Sequence, residues 1–229
     1  MRAAGASYQD IKAAEEDALN RGAQPKSGPL SRPSGRGPAA ALLVAGVGVA
    51  ITLGWQAYAA DSYGTAIGEQ RLVTLKDGSR IRLDTDSRVR VRLRANERRI
   101  ELAAGQAFFE VAPDPSRPFV VQADGAAITA LGTRFDVSRG SSGVEVTLVE
   151  GKVRVDSAAS SGHGSWTLKP GEQVMLRADL PRPRVRAVDA GAATSWTTGR
   201  LVFQGAPLSE AVAEVNRYSR RKVILQDPK

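Results

Sequence analysis

The feature that most constrains this chain is an uncharged run from Pro38 to Ala60, PAAALLVAGVGVAITLGWQAYAA. A helix of about 20 residues crosses the hydrocarbon core of a bilayer, and this run is long enough. It has no polar face, which a helix packed on a soluble core would show to water. Trp55 and Tyr58 stand near its far end, where amphipathic rings settle among headgroups. Gly46, Gly48 and Gly54 lower helix propensity in water but are tolerated in lipid.

The flanks set the expected orientation. Arg21, Lys26, Arg32 and Arg36 precede the run with no acid after Asp17, whereas Asp61 follows it and the next base is Arg71. Basic flanks stay in the cytoplasm. This places residues 1–37 in the cytoplasm and the chain after the span on the far side, as a single-pass membrane protein. Ala57-Tyr58-Ala59 has the A-x-A form of a cleavage site. The long region before it and the length of the apolar run favour a retained anchor over a cleaved leader.

Residues 1–37 read as one short helix and a linker. Ser7 with Asp10 three residues on is a helix-starting capping signal. Tyr8, Ile11, Ala14, Ala18 and Leu19 follow at helical spacing. So short a helix is marginal alone in water and needs a surface to dock on. Tyr8, Ile11 and Leu19 are the candidate contacts with a partner. GAQPKSGPLSRPSGRG then reads as a Gly/Pro/Ser linker.

From Leu72 the apolar period changes to two. Val73, Leu75, Ile81 and Leu83 flank Lys76-Asp77-Gly78, and a three-residue loop sets Val73 opposite Ile81. Val89, Val91 and Leu93 alternate with Arg88, Arg90, Arg92 and Arg94, a half-buried strand with an arginine face turned to solvent. The runs RIEL, AFFEV, PFVVQA, AAITAL, TRFDV, VEVTLV, KVRVD, SWTLK and EQVML follow, punctuated by Gly, Pro and Asp. This predicts a mainly-β domain over residues 61–195, built of antiparallel hairpins as a sandwich, barrel or β-helix-like stack. Gly105, Gly132, Gly151 and Gly171 stand between strands, and Phe108, Phe109, Phe119 and Phe135 are the natural core anchors.

Beyond Trp196, Leu201 to Phe203 and Val223 to Leu225 suit strands around a helix opened by Pro207. Leu208, Ala211, Val212 and Val215 form its apolar stripe. Residues 196–229 are therefore expected to form a partial βαβ unit.

Composition excludes several chemistries. There is no cysteine, hence no disulfide or thiolate metal site, and the one histidine, His163, lies in SSGHGS with no second ligand nearby. No nucleophile–base arrangement or phosphate-binding glycine loop is present, so no catalytic residue, cofactor or metal is expected. The net charge of +8 points to something acidic. The arginine stripe lacks the interleaved aromatics on which single-stranded nucleic acid stacks, and a domain outside the membrane would rarely meet nucleic acid, so no nucleic-acid partner is expected.

The segments VTLKDGSRIRLDTDSRV, IELAAGQAFFEVAPDPSRPFVVQA, ITALGTRFDV, VTLVEGKVRV and LKPGEQVML, in that order from Arg71 to about Arg177, resemble the FecR family of membrane-anchored anti-sigma and cell-surface signalling regulators. The resemblance implies a cytoplasmic partner, an extracytoplasmic-function sigma factor, met by Tyr8, Ile11 and Leu19. It also implies that the membrane is a bacterial inner membrane with the chain after the span in the periplasm, and a periplasmic partner, a TonB-dependent outer-membrane transducer. Residues 196–229 look like the first half of the small domain that ends such proteins, itself similar to the short N-terminal domain of secretins and TonB-dependent transducers. Leu208, Val212, Val215 and Tyr218 are then the candidate transducer contacts. Family members usually carry a longer cytoplasmic helical domain with tryptophan motifs; this tail has no tryptophan and room for about one helix. The reading from a different class is a membrane-anchored scaffold that binds envelope polymers.

Overall fold

A computed structural model describes residues 60–141, 143–157, 164–177 and 183–226. The apolar run at 38–60 and the candidate contacts Tyr8, Ile11 and Leu19 lie outside them, save Ala60. No helix among the described residues is long and apolar enough to cross a membrane.

The described residues hold thirteen strands in two sheets that share one strand; the period-two runs supply eleven of them, and those at 61–64 and 184–187 come from no such run. The shared strand, β5 (Arg98–Glu110), is 13 residues long. Its first half pairs with β4 (Arg88–Leu93) and, in parallel, with β6 (Phe119–Ala123). Around these the first sheet adds β1 (Asp61–Gly64) on β4, then β7 (Ala126–Ala130), β10 (Val153–Ser157) and β11 (Gly164–Leu168) on β6. The second half of β5 pairs with β3 (Arg80–Leu83) and β8 (Arg134–Gly140). The second sheet continues to β2 (Arg71–Thr74) on one side and β9 (Gly143–Glu150), β12 (Glu172–Leu176) and β13 (Arg184–Ala187) on the other. The result is a sandwich nearly closed into a barrel along β5. RIEL and AFFEV, expected as two strands, are one.

The turn of β5 is made at Gly105, which sits inside the strand rather than between strands. Its φ is +80°, where a side chain is strained, and an added Cβ would lie 2.6 Å from Ser87 Cα. Only glycine lets β5 fold over there and serve both sheets.

The core lies between the sheets. Phe109, Phe119 and Phe135 are buried in it, with Phe109 stacked on Phe135 at 5.1 Å and edge-on to Phe119 at 6.0 Å. Phe108 is also buried but points to the opposite face of β5, beneath the guanidinium of Arg134. Val73 faces Ile81 across a loop in which Leu75 N–H donates to Ser79 O and Gly78 has φ +85°, as the three-residue turn requires. Val89 and Val91 point inward while Arg88 and Arg90 are exposed.

Among the described residues one cation is fully buried. Arg98 donates to Asp77 Oδ2 at 2.9 Å, to Ala112 O at 2.8 Å and to Arg117 O at 3.0 Å, with its guanidinium over Phe119. It ties the β2–β3 turn, the end of β5 and the approach to β6 together. Burial pushes the Asp77 carboxyl up, but Ser79 and Arg98 outweigh it and hold it below the usual range.

The registers give the sandwich two distinct ends. At the proximal end, where the chain passes from residue 60 into β1, Asp61 pairs with Val91, Leu93 with Arg98, Arg98 with Phe119 and Phe119 with Ala130. Ala130 pairs with Val153 and Val153 with Leu168, so the turns before β10 and after β11 reach the same end. The distal end carries the segments 65–70 and 84–87. At about 3.3 Å per residue, strands of five to seven residues separate the ends by roughly 20 Å.

Residues 189–217 lie against the β domain. A short helix, α1 (Ala190–Ala193), capped by Asp189, leads through a 3₁₀ turn at Ser195–Thr198 to helix α2 (Leu208–Arg217). The helix forms as its stripe predicts. The expected strands at 201–203 and 223–225 do not, so the partial βαβ unit is a helix with irregular flanks. A strand needs a partner edge, and Val223 finds a side chain instead. Its N–H donates to Asn216 Oδ1 at 2.7 Å and its carbonyl accepts from Asn216 Nδ2 at 2.9 Å.

Candidate functional site: a clamp of the C-terminal helix on the β domain

The outward row of the second sheet is polar where a solvent-facing row would be, yet it is covered. Asp136 on β8 stands between Phe108 of β5 and Thr147 of β9, with Gln173 of β12 next beyond Thr147. Trp196, 3% exposed, closes over this row and donates from Nε1 to Asp136 Oδ1 at 3.2 Å. Gln106 Nε2 donates to Asp136 Oδ2 at 2.8 Å. Further along, Gln173 donates to Thr147 Oγ1 and Arg186 Nε to Gln173 Oε1, each at 2.8 Å.

The last turn of α2 locks onto the same network at the distal end. Asp84, which has no exposed surface, accepts from Gln70 Nε2 at 2.9 Å, from Arg217 at 3.1 Å and from the Tyr218 hydroxyl at 2.8 Å. Arg217 also donates to Gln106 Oε1 at 2.8 Å and to Glu214 Oε1 at 2.7 Å, and its carbonyl accepts from Thr85 Oγ1 at 3.2 Å. Gln106 thus joins both acids: its amide nitrogen serves Asp136 and its oxygen serves Arg217. A cleft of about 610 Å³ opens beside Arg217, lined among others by Ile67, Thr85, Gly105 and Arg139.

Burial lifts the Asp136 carboxyl from 3.8 to about 8 against the pull of its donors Gln106 and Trp196; Glu145 and Asp84 add a smaller push. Glu145 is raised by burial, drawn back by Arg186, and pushed further by Glu214 and Glu210 of α2. Burial and the Asp84 carboxylate raise the Tyr218 phenol, which stays protonated as the donor to Asp84. Folded Asp136 holds its proton to about 8, whereas the unfolded carboxyl loses it near 3.8. The folded state therefore binds more protons between those values, and this group's contribution lowers stability as pH rises from about 4 to 8. Replacing Asp136→Asn is expected to remove that slope, on the order of 1 kcal/mol per pH unit within the window. Thermal melts from pH 5 to 8 check it: an unchanged slope in the variant would show that another group titrates.

The predicted stripe is placed as follows. Leu208 and Val215 are exposed on α2, at 67% and 41%, Val212 is half-buried, and Tyr218 turns toward the domain to reach Asp84. Leu208, Val212 and Val215 share one face; Tyr218 belongs to the clamp. Asp84, Gln106, Asp136 and Arg217 were not singled out by the sequence. No group of three or more acids or histidines placed to hold a metal occurs among the described residues.

Residues 61–154 match the family model described as FecR protein. Over these residues the chain is similar to FecR proteins. No curated protein matches the chain. Two crystal structures, at 1.65 Å and 2.50 Å, of a "putative anti-sigma factor" from Parabacteroides distasonis are similar to it. The first is 28% identical with a TM-score of 0.62, over 69% of this chain and 74% of that one. The second is 26% identical with a TM-score of 0.65, over 74% and 82%. The match runs from β1 into β10, so Asp84, Gln106 and Asp136 lie within the matched residues, while Trp196, Arg217 and Tyr218 lie beyond them.

Proposed function

We propose that the chain is a transmembrane signalling regulator of the FecR type, relaying a periplasmic contact with an outer-membrane transducer to a cytoplasmic sigma factor. The observation that carries this is the clamp. α2 is fastened by Arg217 and Tyr218 while its apolar residues Leu208 and Val215 stay uncovered, so a partner can grasp the helix without first removing it. In this reading a TonB-dependent transducer takes the α2 face, the domain senses it through the clamp, and residues 1–37 hold the sigma factor through Tyr8, Ile11 and Leu19. Each of those side chains, fully buried, is worth about 1.5 to 3 kcal/mol.

The full chain, solubilised in detergent, is expected to co-purify with the extracytoplasmic-function sigma factor encoded beside its gene. The double change Ile11→Asp and Leu19→Asp abolishes that capture without moving the melting temperature of the β domain. Absence of capture by the unaltered chain, with a FecR-type regulator of longer tail as working control, overturns the sigma-factor arm and favours the envelope scaffold.

A further inference from the structure

We infer that the proximal end of the β sandwich is a lipid-docking surface that rests on anionic headgroups through Lys76, Lys152, Lys169 and Leu131. This deepens the membrane-anchored reading above and rests on it.

The geometry comes from the registers. Each of these residues sits at the tip of a turn at the end where the chain enters β1. Lys76 is in the β2–β3 turn, Leu131 follows β7, Lys152 precedes β10 and Lys169 follows β11. Lys152 and Lys169 flank the paired residues Val153 and Leu168, so they stand side by side. The turn after β7 abuts the one before β10: a Cβ on Gly151 would lie 2.8 Å from the Thr133 side chain.

The charge there is selective. Three arginines at this end are matched by acids: Arg80 with Glu110 at 2.8 Å, Arg117 with Asp114 at 2.8 Å and Arg134 with Glu110 at 3.5 Å. The three lysines are exposed and form no ion pair among the described residues. Leu131, 55% exposed, stands among them as an apolar tip. Unpaired ammonium groups around one exposed leucine suit a boundary of anionic headgroups over acyl chain.

Distance selects the occupant. The apolar run ends at Ala60 and β1 begins at Asp61. One residue spans at most about 3.6 Å, which leaves no spacer to lift this end beyond the Debye length of roughly 8–10 Å. α2, at the other end, stays clear of the headgroup field.

The sequence has no cysteine, so single labels are unambiguous. Full-length protein carrying Leu131→Cys or Ser209→Cys, each with an environment-sensitive fluorophore, is reconstituted into vesicles containing a headgroup-bound quencher. With phosphatidylglycerol present, the label at 131 is expected to be quenched several-fold more than the label at 209. Phosphatidylcholine alone, or combined Lys76→Gln, Lys152→Gln and Lys169→Gln, shrinks the difference to what the anchor alone imposes. The ratio of docked to undocked domain falls roughly fivefold per lysine. Equal quenching at both positions, or quenching at 131 indifferent to the lysines and to lipid charge, overturns the docking surface and leaves the anchor standing. Failure of the full chain to float with either vesicle overturns the anchored reading itself, and the docking surface with it.

Discussion

Arg98→Ala is expected to destabilise the β domain by about 3–5 kcal/mol, because it leaves a buried carboxylate without its cation. The side chain is fully buried and Asp77, its partner, is 4% exposed, so water cannot replace the lost contacts. Two backbone carbonyls, of Ala112 and Arg117, also lose their donor. The paired change Arg98→Met with Asp77→Asn is expected to recover much of the loss, since it removes the stranded charge and keeps the volume. Urea denaturation followed by tryptophan fluorescence measures both. A loss below about 1 kcal/mol for Arg98→Ala would mean that the pair is not stabilising in the folded state.

Gly105→Ala is expected to be about as damaging, about 3 kcal/mol or more. The positive φ alone costs an alanine about 1–2 kcal/mol. Its Cβ would also press within 2.6 Å of Ser87 Cα and 2.7 Å of Asp86 O, backbone atoms that cannot swing aside. Gly125 isolates the first contribution. Its φ is +78° but nothing lies within 4 Å of an added Cβ, so Gly125→Ala should lose only the conformational part. Equal melting temperatures for the two variants would show that the bend of β5 can move away from Ser87.

The contrast between those glycines bears on what the sequence makes legible. Alternation located nearly every strand of the sandwich, because one face of each is buried in a common core and the pattern records it locally. The β2–β3 turn was legible to the register for the same reason. RIEL and AFFEV read as two strands because Ala103-Ala104-Gly105 looks like a break, and only tertiary pairing shows that the break is a fold in one strand. The helix at Leu208 was legible from its spacing. Its flanking strands were not formed, because strand formation depends on an available edge, which no local pattern reports. The clamp left the weakest trace. Asp84 and Arg217 are 133 residues apart, and Asp136 sits in TRFDV where alternation assigns it to solvent. Trp196 covering it is what makes it buried, and that is a matter of where the chain returns.

The way β1 is attached has a mechanical consequence. β1 is an edge strand held to β4 alone, antiparallel, with paired residues running from Asp61–Val91 to Gly64–Arg88. A pull on the chain at residue 60, away from the domain, acts along the strand and loads all of those pairs together, in shear. A pull on α2 at the opposite end loads Arg217 and Tyr218 at the margin of their contact, where bonds to Asp84 and Gln106 give way one after another, as in peeling. Under tension between the two ends, α2 therefore detaches while β1 holds, and the sandwich acts as a rigid body behind a weak fastening.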